Sequence, residues 1–164
     1  MKVLVSACVY GSQVRWNGTH KLDSDLVQWA EDVGIALTPV CPEDELFGTP
    51  RKPIRLEQIS GTEIVVGHMG SEDVYKKLMD KSFEIHSKHK DAVGFIGIAG
   101  SPTCGISVGV KNRGSTMKAP MHLQTSVPTT EISSLRSSAN RESFLKRILK
   151  YKERANGQLC LYKC

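Results

Sequence analysis

The chain has 164 residues, of which 40% are hydrophobic and 24% charged, with a formal net charge of +5. That length suits one domain able to bury its own core without staples, and no apolar run approaches the ~20 residues needed to span a bilayer. Five cysteines is an odd number, so at least one stays outside any internal disulfide. With no recognisable targeting signal, the expected location is the cytosol, where cysteines serve more often as ligands, catalysts or core residues than as staples.

Met1 to Cys8 is apolar but too short for a secretory segment, and reads as a first strand around Val3–Val5. Asp23 or Ser24 can cap a helix whose Leu26, Trp29, Ala30 and Val33 form one apolar stripe, ended by Gly34. Ile35 to Val40 is a second apolar strand, stopping at Cys41-Pro42. From Glu43 to Pro53 the prolines and Gly48 predict a loop. Glu63 to Val66 follows as a short strand. Gly70-Ser71 opens a helix with Glu72 and Asp73 in its first turn, and Val74, Leu78, Met79 and Ile85 on its inner face.

Ala92 to Ile98 is a third apolar strand, leading into Gly100-Ser101-Pro102-Thr103-Cys104-Gly105. Gly114 to Thr130 is expected to be loop with a short helical turn. A last amphipathic helix over about 138–152 carries Phe144, Leu145, Ile148 and Leu149, and the tail 153–164 is expected to be flexible. Strands and helices alternate, which predicts a parallel sheet covered on both faces. The expected architecture is therefore α/β: one domain over 1–164, a Rossmann-like three-layer fold with a mostly parallel sheet.

Cys8, Cys41 and Cys104 each lie within a few residues of the carboxyl end of an apolar strand. In an open parallel sheet those ends emerge on one edge, where ligands bind, so three distant thiols can converge. Three protein ligands leave a coordination position open, as catalytic metal sites do. Soft thiolates select zinc or iron–sulfur clusters over hard cations, and no histidine adjoins any of the three. Free cysteine is also a common core residue, but Pro42 after Cys41, and the Pro102–Gly105 loop around Cys104, favour ligands over packing. Cys160 and Cys164 form a Cys-x-x-x-Cys pair read as inconsequential, and His68, His86, His89 and His122 lack metal-ligand spacing.

Glu43, Asp44 and Glu45 directly follow a proposed ligand. Carboxylates crowded beside an anionic metal centre suit proton transfer near neutral pH; Glu45 is the first candidate and Glu43 the second. Ser101 can hydrogen-bond a substrate or water. Arg15, His20, Lys21, Arg51 and Arg55 are candidate contacts for a polar substrate. The basic run of the last helix (Lys146, Arg147, Lys150, Lys152, Arg154) reads as a solvated face, and neither nucleic acid nor membrane is an expected partner.

These residues also resemble a known family. Ser6-Ala7-Cys8-Val9-Tyr10-Gly11 and Val14-Arg15-Trp16-Asn17-Gly18 are similar to the opening of the DUF523 proteins. Pro39-Val40-Cys41-Pro42-Glu43-Asp44-Glu45 with Pro50-Arg51 resembles their second block, Ser101-Pro102-Thr103-Cys104-Gly105 their Ser-Pro-Ser-Cys-Gly, and Arg141-Glu142-Ser143-Phe144-Leu145 their C-terminal motif. The resemblance implies a thiouracil desulfidase: a 4Fe-4S cluster on Cys8, Cys41 and Cys104 with one open iron, Glu45 and Ser101 as catalytic residues, and Arg15, His20, Glu43 and Ser101 toward the substrate. The chain departs from the family pattern at Trp16-Asn17, at Ala99-Gly100 and by a Glu45-to-Pro50 loop one residue shorter.

The implied reaction is non-redox: a thiolated nucleobase or related thioamide loses sulfide and becomes the carbonyl compound. Two other readings compete. A three-cysteine zinc hydrolase or deaminase lacks the expected His-x-Glu beside Pro-Cys-x-x-Cys. A non-catalytic iron–sulfur carrier or sensor would need no acidic segment beside its ligands. A dinucleotide-binding module is disfavoured, since no Gly-x-Gly-x-x-Gly follows any strand.

Overall fold

Val3, Leu4 and Val5, each at most 1% exposed, build β1 (Lys2–Ser6), the strand around which the first sheet is organised. The computed structural model describes residues 1–59, 62–67, 72–105, 107–111, 115–118 and 128–157. After β1 come α1 (Ala7–Tyr10), α2 (Ser24–Asp32), β2 (Ala36–Val40) and α3 (Pro42–Phe47). They are followed by β3 (Ile54–Ile59), β4 (Thr62–Gly67), α4 (Glu72–Lys88) and β5 (Phe95–Gly97). The chain continues through β6 (Ser107–Lys111), β7 (Ser115–Lys118), β8 (Thr129–Glu131), a 3-10 turn (Ile132–Leu135) and α5 (Ser138–Gly157).

The first sheet has the order β2-β1-β5-β8, and every pairing in it is parallel. Alternation along β1 sends Val3 and Val5 to one face and Leu4 to the other. The first face packs under α2 and α5, with Leu26, Ala30, Phe144 and Ile148 in one cluster with Val3, Val5 and Ile96. The second face packs Leu4 and Phe95 against Ile85 of α4. Each such fully buried aliphatic or aromatic side chain contributes about 1.5–3 kcal/mol. The expected α/β architecture, helices on both faces of a four-stranded parallel sheet, is what the structure shows.

A second sheet, order β4-β3-β6-β7, is mixed: β3/β6 is parallel, β3/β4 and β6/β7 antiparallel. It packs on the other flank of α4, where Leu56, Val74 and Leu78 form their own cluster. This sheet departs from the single-sheet expectation. Of its strands only the stretch Glu63 to Val66 reads as strand in the sequence; β7, and the start of β8 in the first sheet, fall within the expected loop from Gly114 to Thr130.

Other expectations shift as well. Glu43 to Phe47 is helix, not loop. Pro42 occupies the first turn, where its missing N–H is harmless, and Glu43, Asp44 and Glu45 complement the helix N-terminal dipole before Gly48 ends it. The third strand narrows to Phe95–Gly97, since the chain turns at Ile98. The last helix runs on to Gly157, so the first part of the expected flexible tail is helical. Gly70-Ser71, His68, His122, Cys160 and Cys164 lie outside the described residues. Among the described residues no helix is long and apolar enough to cross a membrane.

Candidate active site

In the order β2-β1-β5 the three cysteine-bearing strand ends are neighbours. The β1/β2 register sets Ser6 opposite Val40, so the residues that follow, Cys8 in α1 and Cys41 at the start of α3, emerge side by side. On the other flank, Val5 pairs with Ile96 in β5. The turn after β5 then folds back until the Cys104 carbonyl presses on Gly97, where an added Cβ would lie 1.9 Å from that oxygen. The chain leaves β1 toward β2 on one side and reaches β5 on the other, which makes this edge a switch-point crevice.

That crevice is a cavity of about 230 Å³ lined by Cys8, Cys41 and Cys104 together with Ser6, Arg15, Glu43, Arg51, Ser101 and Thr103. It is many times the ~10–15 Å³ that one water needs. All three thiols are free. Burial pushes the Cys8 thiol up, with Arg15 opposing, and pushes Cys41 up to about 11. Cys104 is raised well above its ordinary value, by burial first and then by the neighbouring Cys41 and Glu43. Three mutually repelling, buried thiols ionise readily only when a cation compensates them. The Ser6 hydroxyl, 1% exposed on the cavity wall, stands beside the Cys104 thiol and opposes part of its rise through a hydrogen bond.

A polar network stands beside the thiols. Arg51 donates from Nη2 to Glu43 Oε2 at 2.8 Å, with only 6% of the arginine side chain and 14% of the glutamate side chain exposed. Arg51 Nη1 is held by the carbonyls of Val14 at 2.9 Å and Gly48 at 3.1 Å. The other carboxylate oxygen of Glu43 accepts from the Thr103 hydroxyl, which meets Ser101 Oγ at 3.0 Å. Ser101 Oγ also accepts from the backbone N–H groups of Thr103, at 3.3 Å, and Cys104, at 3.1 Å.

Of the residues singled out in the sequence, Cys8, Cys41, Cys104, Arg15, Lys21, Glu43, Arg51 and Ser101 meet at this cavity. Glu45, His20 and Arg55 are not on its wall. Glu45 is exposed and points to Lys81, 3.7 Å away. His20 is exposed, and its Nδ1 accepts from the Leu22 N–H at 3.2 Å. Ser6 and Thr103 were not singled out. A hydroxyl residue closing a buried strand, and one immediately before a candidate ligand cysteine, are the signals that point to them. The departures at Trp16 and Ala99-Gly100 also fall on the cavity wall.

Fold and site together describe an α/β protein with a cavity at the carboxyl edge of its parallel sheet, where soft sulfur donors stand beside a carboxylate. The chain belongs to the 2-thiouracil desulfurase family, whose model matches residues 3–131. Its fold is similar to that of a solved structure, the 4Fe-4S-dependent thiouracil desulfidase TudS (DUF523Vcz). The TM-score is 0.66 at 22% sequence identity, over 87% of this chain and 97% of that one. No curated protein sequence matches the chain.

Proposed function

We propose that the chain hydrolyses a 2-thiouracil-type thiocarbonyl to its carbonyl counterpart with release of sulfide, using a 4Fe-4S cluster held by Cys8, Cys41 and Cys104. The observation that carries this is the convergence of three thiols from adjacent strand ends on the cavity that also holds Glu43 and Ser101. The donor set fits the cluster: all sulfur, three in number, free, and on one cavity wall. Among the described residues no three Cys, His, Asp or Glu side chains are grouped to clasp one metal ion. Three thiols around a cavity of about 230 Å³ leave room for a multi-atom cluster.

When bound, such a cluster supplies a thiophilic Lewis acid that polarises the C=S bond at its open iron. The remaining work falls to the chain. Glu43, rather than Glu45, takes up the proton of the attacking water, because Arg51 holds its carboxylate at the cavity wall while Glu45 turns to Lys81. Ser101 faces the reacting carbon. Arg15 and Lys21 line the cavity and orient a polar ring. The α3 segment also speaks against a mere carrier, which has no need of a buried, arginine-held carboxylate beside its ligands.

Purified without oxygen, the protein is expected to carry iron and acid-labile sulfide in a 4Fe-4S ratio and to release sulfide from 2-thiouracil. Zinc in place of iron would overturn the cluster assignment. An intact cluster with no sulfide release would leave a carrier.

A further inference from the structure

We propose that Thr103 is a relay residue: its hydroxyl carries a proton from Ser101 to Glu43, so that the carboxylate acts on the reaction through two hydroxyl groups. This rests on the hydrolytic reading above, and goes further by fixing the path the proton takes.

The directions of the hydrogen bonds follow by elimination. A carboxylate paired with Arg51 has only acceptor oxygens. The bond between Thr103 Oγ1 and Glu43 Oε1 is therefore donated by Thr103, which uses its single hydroxyl proton. Thr103 and Ser101 share a further bond at 3.0 Å. With the threonine proton committed, Ser101 must be the donor there. The serine oxygen is held in turn by the backbone N–H groups of Thr103 and Cys104. Every proton in the chain Ser101–Thr103–Glu43 thus points toward the carboxylate.

The wire is also well fixed in space. Thr103 is 1% exposed. The Gly105 N–H donates to the Ser101 carbonyl at 2.9 Å, closing the turn that carries both hydroxyls. Arg51 anchors the far end. Water attacking the thiocarbonyl carbon passes a proton to Ser101 Oγ, taking the lone pair freed as the longer, 3.3 Å bond from the Thr103 N–H gives way, while the serine proton moves to Thr103 Oγ1 and the threonine proton to Glu43 Oε1. Three O–H bonds break and three form; a water lone pair makes the new C–O bond as the C=S π pair moves onto sulfur, and the carboxylate ends protonated. Electrons stay paired throughout.

Threonine, rather than any small residue, is what this position needs. Valine has the same shape and lacks the oxygen, whereas serine keeps it. In anaerobically purified protein, T103V is expected to lower kcat for sulfide release by about 10²-fold or more, with KM, 2-thiouracil affinity and iron content unchanged. T103S is expected to restore turnover. A second readout needs no turnover: the infrared carboxylate band that E43Q removes should shift in T103V and not in T103S.

Wild-type turnover in T103V, or an unmoved carboxylate band, would overturn the relay. Loss of iron in both T103V and T103S would overturn it too, by making Thr103 structural. If the wild-type protein released no sulfide from 2-thiouracil, the substrate assignment would fall, while the infrared comparison would still decide the Thr103–Glu43 link.

Discussion

Glu43 and Glu45 are two positions apart on α3, about 200° around the helix axis, and that rotation gives them different chemistry. Glu43 points into the cavity, 14% exposed, and is clamped by Arg51. Glu45 points outward, 42% exposed, to Lys81. That exposed pairing keeps Glu45 off the cavity wall, which is why the proposed base is Glu43. Changing Glu43→Gln keeps the shape and removes the base; kcat for sulfide release is expected to fall by about 10²–10⁴-fold with the cluster retained. Glu45→Gln is expected to turn over like the wild type. Steady-state assays on the two variants side by side check the assignment, and the reverse pattern would hand the role back to Glu45.

The choice between those two carboxylates depends on α3, an element the sequence hides behind its prolines. The cysteine positions were legible because strand ends are legible: Val3–Val5, Ile35–Val40 and the run to Ile98 are apolar blocks bounded by turn residues. The second sheet was not, because its pairings are distant. Leu56 meets Val110 across more than fifty positions, and no local period encodes such a partner. The turn after β5 is a further case. Gly97 has no need of a left-handed conformation; it is glycine because the Cys104 carbonyl closes on it, leaving 1.9 Å for any Cβ. Backbone atoms on both sides cannot yield as a flexible side chain would. Gly97→Ala is expected to cost about 1–3 kcal/mol through overpacking and to push Cys104 out of position. Denaturant unfolding and the iron content of the anaerobic protein report the two effects. Unchanged values for both would mean that the turn does not hold the third ligand.

At the scale of the whole molecule, the proposed cluster would make the three thiols couple folding, loading and pH with opposite signs. Cys41 is held at about 11 against an ordinary 9.0, and burial raises Cys8 and Cys104 as well. A thiol whose folded pKa is raised stabilises the fold below its unfolded value, because both states then bind the proton. As pH rises above 9, the unfolded chain ionises first and binds fewer protons than the folded one, so stability falls. The cluster-free protein is therefore expected to lose stability as pH climbs from 9 toward 11. Loading runs the other way, since thiolates are the ligands and each must give up its proton on binding. Reconstitution should release protons and grow more favourable across the same rise. Thermal melts of cluster-free and loaded protein, taken at several pH values, should diverge as the medium becomes alkaline. Parallel curves would mean that the buried thiols do not carry the charge that holds the cluster, and the site would have to be sought away from the edge where β2, β1 and β5 end.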